Sequence, residues 1–265
     1  MTSFNIVKYD TFNTEYLQTR DVVTLKSGMK RISTKYGSNG GNGFRTQTPK
    51  MLQIFDLNEH SQDNGETKYS FCLTFRGSDE DPKVAKFQKM VEDIDEFNIN
   101  YATENSKELF GKQTKREIVE EFHKPMVKFS NKKNSEGEDY PPTLKVKLPF
   151  KNGKPKFNIF DKNRKPMNLH DIDEDCVNLS MFSQNTKMQC ILEYSGMWVV
   201  AKQFGSSWNL IQAKVFQEEN LENCAILDSD DEGDDDDKGS TAGSTAGSTE
   251  RLDDDDAEGD GGETF

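Results

Sequence analysis

Hydrophobic positions along this chain repeat at two periods, a helical one in a single long stretch and an alternating one on either side of it. "DVVTLK" (Asp21–Lys26), "MLQIF" (Met51–Phe55) and "KYSFCLTF" (Lys68–Phe75) are short and rich in β-branched or aromatic residues, so they read as strands. The glycine-rich "GSNGGNG" (Gly37–Gly43) between the first two reads as a flexible loop. The period then changes. Val84, Phe87, Met90, Val91, Ile94, Phe97 and Tyr101 recur three and four residues apart, which predicts a helix with one apolar stripe packed on the core. Asp81 is placed to cap its N-terminus and Pro82 suits its first turn. A further short helix is expected from Thr114, with Glu117 completing a capping box.

Alternation returns in "TLKVKLPF" (Thr143–Phe150), where Leu144, Val146 and Leu148 take one face and Lys145 and Lys147 the other. "KFNIF" (Lys156–Phe160), "MQCILEY" (Met188–Tyr194), "MWVVAKQF" (Met197–Phe204) and "WNLIQAKVF" (Trp208–Phe216) follow. Gly196 and Gly205-Ser206-Ser207 stand at the tight connections of a meander. With a three-residue connection, Phe204 faces Trp208 and Trp198 faces Lys214. Seven or eight strands around a helical insertion at about 82–122 predict a mainly β (α+β) fold, a small antiparallel barrel, closed or nearly so. A sandwich is the alternative. The domain is expected to span residues 1–227.

Charge alters this picture at the C-terminal end. The chain has 265 residues and a formal net charge of -13, yet residues 228–265 hold sixteen acids and two bases. Residues 1–227 are nearly neutral. The tail has almost no apolar residues and a "GSTAGSTAGST" spacer, so it is expected to be a disordered coil. Within the body, residues 20–50 carry seven bases against one acid, and residues 124–170 carry twelve against four.

Catalytic and metal chemistry find little support. No nucleotide-binding glycine motif stands between a strand and a helix, and "DIDEDC" (Asp171–Cys176) lacks the spacing of a calcium loop. The four cysteines and three histidines are dispersed, so buried thiols are expected rather than zinc. The chain reads as a non-enzyme without cofactors. It shows no long apolar run or signal segment, so no membrane association is expected, and a soluble, reduced, intracellular setting is.

Nucleic acid is better matched. Lys26, Lys30, Arg31 and Lys35 lie in or after a strand, beside Tyr36, Phe44 and Arg45. Lys145, Lys147, Lys151 and Lys154 crowd a second strand and its turn, and Trp198, Lys202, Phe204, Trp208 and Lys214 lie on the last hairpin. Lysine neutralises phosphate and a flat ring stacks on an unpaired base. Sequence-independent binding of a single strand needs both along one groove. For each tryptophan core packing is the competing reading, and for the lysine strand a solvated outer face. The acidic tail imitates a nucleic-acid backbone, so it is expected to compete for the basic groove and, once displaced, to engage partners through Asp253, Asp254, Asp255, Asp256 and Phe265.

"ATENSKELFGK" (Ala102–Lys112), "YPPTLKVKLPF" (Tyr140–Phe150) and "MWVVAKQFGSSWNLIQAKV" (Met197–Val215) carry a resemblance that covers most of residues 15–217 and the tail architecture. The chain resembles the replication single-stranded-DNA-binding proteins of T-odd (T-seven type) podophages and of large nucleocytoplasmic DNA viruses. The resemblance implies an OB-fold barrel followed by an acidic tail ending in an aromatic residue. It further implies coating of single-stranded DNA in viral replication, recombination and repair at the replication site of the host cell. Tail contacts with polymerase and helicase or primase, and a homodimer, belong to the same implication. The competing readings are an acidic-tailed chaperone of basic proteins, with an indifferent barrel, and a virion structural β-barrel. They are told apart by whether the two basic blocks fold onto one face with a tryptophan exposed beside them.

Overall fold

The computed structural model of the chain describes residues 6–37, 44–62, 65–169 and 177–216. The whole acidic tail, with the residues expected to bind partners (Asp253–Asp256 and Phe265), most of the Gly37–Gly43 loop and all of Asp171–Cys176 lie outside them.

In the N-terminal part, β1 (Ile6–Val7), β2 (Leu17–Thr24), β3 (Lys30–Tyr36), β4 (Phe44–Gln47), β5 (Met51–Gln53), β6 (Asn58–Ser61) and β7 (Thr67–Thr74) precede the helices. These are α1 (Pro82–Glu104), α2 (Ser106–Phe110) and α3 (Arg116–Phe122). Then come β8 (His123–Lys124), β9 (Val127–Lys128), β10 (Thr143–Leu148), β11 (Phe150–Lys151), β12 (Lys154–Pro155), β13 (Asn158–Phe160), β14 (Lys187–Val200) and β15 (Gln203–Phe216). The fold is mostly β and OB-like.

The pairings β14–β5, β5–β7, β7–β10, β10–β15 and β15–β14 run in a circuit. Inside it lies the larger core cluster, which includes Phe44, Phe71, Leu144, Val146, Leu192, Tyr194, Trp208 and Leu210. The expectation of an antiparallel barrel needs correcting, because β15 pairs in parallel with β8, β10 and β13, and β1 pairs in parallel with β4. The segments between these strands are long enough to reverse the chain twice, and no local pattern announces that.

The helix begins as the sequence indicates. The Asp81 carboxylate accepts the Lys83 N–H at 2.8 Å, Pro82 opens α1, and Val84, Phe87, Met90, Val91 and Ile94 are buried. The capping box at Thr114 does not form. Thr114 is buried and its N–H donates to the Ser106 hydroxyl, while α3 starts two residues later without a side-chain cap. The short α2 ends on Gly111 in the left-handed conformation and carries no apolar period of its own.

The meander also needs correcting. "MQCILEY" and "MWVVAKQF" are largely one strand, β14, and the chain reverses at Ala201–Lys202 between the pair Val200 and Gln203. Ala201 takes a positive φ of 52° without being glycine, so this turn carries no sequence signal. Gly196 lies within β14, where an extra residue enters between the pairs Tyr194–Trp208 and Met197–Ser206. Before that bulge the even positions Met188, Cys190, Leu192 and Tyr194 are buried; after it Met197 and Val199 are. One inserted residue has exchanged the faces. On β15 the alternation continues unbroken from Phe204 through Trp208 to Leu210, so the hairpin keeps one continuous inner face. Its tip, with Ile32, Met197, Val199 and Phe204, packs against Ala102, Leu109 and Val119 of the helical segment as a second core cluster.

Gly196 has φ 81°, and β3 crosses so closely that a Cβ there would strike the Ile32 carbonyl oxygen. Gly196→Ala is therefore expected to destabilise the protein by about 2 kcal/mol or more, from a strained backbone and a displaced β3. The midpoint of chemical denaturation measures this; a shift below about 0.5 kcal/mol would mean that β3 moves aside freely.

Candidate nucleic-acid interface

Cross-strand partners share a face, and across the hairpin tip they form a row. Val23 pairs with Arg31, Arg31 with Trp198, Trp198 with Gly205 and Gly205 with Lys124. Ile32, Met197, Val199 and Phe204 occupy the opposite face, in the core. The row therefore lies outward. Arg31 and Lys124 are exposed, Trp198 is half-buried, and Val23 is 55% exposed. Gly205 is the floor beneath them: a Cβ there would lie 3.0 Å from Trp198 Cζ2 and 3.2 Å from Lys124 Cβ. The indole edge and the lysine stem thus meet over a residue that leaves them room.

Lys124 is held from within. Flanking it, His123 Nε2 lies 3.1 Å from Asp95 Oδ1, and the Met126 N–H donates to Asp95 Oδ2 at 2.8 Å. Asp95 is a buried residue of α1, so the helix fixes the short strand that carries the lysine. The same helix grips the hairpin through Asn98, whose side-chain oxygen accepts the Tyr194 hydroxyl at 2.9 Å and whose amide donates to Ser206 at 3.1 Å. Burial pushes the Tyr194 phenol well above its ordinary pKa, so it stays a neutral donor. Among the described residues neither Arg31 nor Lys124 forms an ion pair.

The lysine strand continues this face. On β10, Leu144, Val146 and Leu148 are buried, while Lys145 and Lys147 are half-buried on the other side. Lys147 pairs with Asn209 on β15 and Ser70 on β7; Lys145 pairs with Cys72. Asn209 lies four residues along the outer side of β15 from Gly205.

Other expected site residues divide into three groups. Phe44, Phe204 and Trp208 are in the core, 1%, 0% and 0% exposed, so a base cannot reach them and the stacking role read from the sequence is corrected for these three. Lys30 and Arg45 are engaged within the protein. Lys30 pairs with Val199, which turns it to the inner face, where Nζ donates to the carbonyls of Glu108 and Leu109 at the end of α2. Arg45 Nε donates to Glu193 Oε1 at 2.8 Å. Tyr36 is half-buried, its ring 5.3 Å from Phe44 and its hydroxyl accepting the Asn13 N–H. The remaining lysines are dispersed. Lys26 and Lys202 lie at turns and Lys35 on β3; Lys151 and Lys154 face each other on the β11–β12 hairpin, and Lys214 lies on β15 near Phe216.

Two residues were missed by sequence reasoning. Lys124 had no local signal, being one lysine after a helix. Phe129, 67% exposed just beyond β9 and beside the lysines of "KFSNKK", had one: an aromatic ring in a basic loop. Among the described residues no three His, Cys, Asp or Glu side chains converge as a metal site would need. None of the described helices is long and apolar enough to cross a membrane.

Residues 81–225, more than half of the chain, match a family of unknown function, DUF5871. The chain belongs to that family. Its matched region takes in the helical segment, Lys124, the lysine strand and the whole hairpin, and leaves β1 to β7 outside. No curated protein matches the sequence. Among solved structures, the single-stranded DNA-binding protein from bacteriophage Enc34 in complex with ssDNA is similar at 12% identity and a TM-score of 0.40, over 77% of this chain and 94% of that one. The single-stranded DNA binding protein gp2.5 encoded by bacteriophage T7 is similar at 14% identity and a TM-score of 0.41, over 69% and 97%. At that distance neither decides what this chain binds.

The different burial of the two tryptophans is directly measurable. In the Trp198→Phe protein only Trp208 emits, and its fluorescence should be nearly insensitive to iodide, whereas the parent should be partly quenched. Equal quenching of both proteins would place Trp198 inside.

Proposed function

We propose that this protein binds single-stranded nucleic acid without sequence preference, along the outer face of the β14–β15 hairpin. One observation carries the reading. Arg31 comes from the first basic block and Lys124 from the second, and the fold sets them on opposite sides of the half-exposed Trp198. Flat ring and flanking cations are what a stacked base and its two phosphates require. Lys145 and Lys147 extend the positive surface along the adjoining strand. A solvated outer face explains the lysines equally well, but it does not explain a tryptophan seated on a glycine between two cations that form no ion pair among the described residues.

The finer reading rests on the family resemblance noted from the sequence and on charge. Single strands are coated during viral DNA replication, recombination and repair. The acidic tail competes for the groove and, when displaced, recruits polymerase and helicase or primase. A homodimer and a site of action at viral replication belong to the same reading.

Titration with oligo-dT tests the groove. Binding should quench Trp198 fluorescence, and Trp198→Ala should weaken affinity by about 1–3 kcal/mol, the usual worth of a base–aromatic stack. Lys145→Glu with Lys147→Glu should weaken binding to all sequences alike and flatten the salt dependence, because phosphate contacts carry no base information. Unchanged affinity and slope in both variants would sink the assignment. A chain ending at residue 227 should bind more tightly than the full chain at low salt. Loss of all binding on that truncation would favour the chaperone reading.

A further inference from the structure

The outer face has a second cluster of cations, at the opposite end of the hairpin. Phe216 pairs with Lys187, Lys187 with Leu52, and Leu52 with Thr74, a row running across β15, β14, β5 and β7. Over Phe216 stand two ammonium groups, Lys50 Nζ at 4.1 Å and Lys214 Nζ at 5.1 Å from the ring centroid. Beside the row is a depression of about 350 Å³, with Lys50, Arg76 and Lys187 among its lining residues and no acid. The cations come from separate stretches of chain, so only the fold gathers them. The aromatic ring has a different use from that of Trp198. Its π-face attracts the two ammonium groups and positions them, so this site offers charge and not a free surface for stacking.

We propose that this depression is a second contact for the same single strand, specific for its phosphates, at the far end of a path that begins at Trp198. The inference rests on the reading of the Trp198 face as a single-strand groove. The two ends lie on one side of β15, with Gly205 under Trp198 and Phe216 eleven residues further on. A bulge at Ile211, between the pairs Leu192–Leu210 and Ile191–Gln212, keeps both ends on that side, and apart from this half-buried isoleucine the outward residues between them, Ser207, Asn209, Gln212 and Lys214, are polar or basic. At roughly 3.3 Å per residue the path is about 35 Å long. A strand at the helical spacing of about 3.4 Å per phosphate covers it in about ten nucleotides, and an extended strand in fewer. Both lie inside the range of about 4–16 nucleotides typical of one OB-fold.

Length dependence is the test. Full-length protein is titrated with oligo-dT of about five and about twenty nucleotides at several salt concentrations, beside the Lys50→Glu/Arg76→Glu variant. Both substituted residues are exposed, and an unchanged thermal midpoint verifies folding. The five-mer, engaged by Trp198, should bind parent and variant within about twofold. The twenty-mer should bind the variant about tenfold or more weakly, with a salt slope smaller by about 1.4 for two lost phosphates. Lys50→Gln/Arg76→Gln should fall between. No loss for the twenty-mer, or an equal loss at both lengths, overturns the second contact while leaving the groove reading intact. A parent protein that binds neither oligonucleotide overturns both.

Discussion

A single extra residue in β14 decides what the surface of this protein offers. Strand side chains alternate, and without the bulge at Ser195–Gly196 the even positions buried up to Tyr194 would stay buried beyond it. Trp198 would then point into the core, and Met197 and Val199 would face water. The inserted residue reverses that assignment. It sends two aliphatic side chains to the helical segment and turns the indole outward between Arg31 and Lys124. Gly196 permits it because β3 passes too close for a Cβ. The packing of the second core cluster and the candidate interface are thus two faces of one backbone irregularity. Bulges of this kind re-aim side chains at functional edges.

The helical segment serves the interface without contributing side chains to its surface row. Asp95 and Asn98 are polar residues in the buried stripe of α1, and each bonds a strand element next to the row. A buried polar group left unpaired costs roughly 1–3 kcal/mol, so these bonds fix one docking of helix on hairpin. Lys30 does similar work from the strand side, giving its charge to the terminal carbonyls of α2. That position suits a cation, because the end of a helix is its negative pole.

The outer face is organised by unlike means at its two ends. At the tip, cations flank a half-exposed ring; at the base, a ring holds cations. Exposed charges cost little to keep apart and are screened by salt, so the positive surface gives affinity that depends on ionic strength. An indole half-buried against Gly205 before any base arrives has less side-chain freedom left to lose on binding.

Local periodicity was enough for the elements whose burial is simple. The α1 stripe, its Asp81–Pro82 start and the inward aliphatics of β10 with Lys145 and Lys147 outside all follow from spacing, because each segment meets the core along one uninterrupted face. Charge counting likewise separated the acidic tail from a body with two basic blocks. What sequence could not supply were the facts that depend on a second segment's position. Two glycines that look like turns are a bulge and a floor, because β3 crosses one and Trp198 and Lys124 cover the other. The real turn at Ala201 has no glycine. Trp198 and Trp208 are alike in local composition, yet one is surface and the other core, since an alternation read across an unseen bulge assigns the wrong face. Lys30 and Arg31 are neighbours, and only the pairing of β3 with β14 makes one a helix cap and the other a candidate phosphate contact. Composition and period determine which residues can be buried; long-range strand pairing decides which of them are.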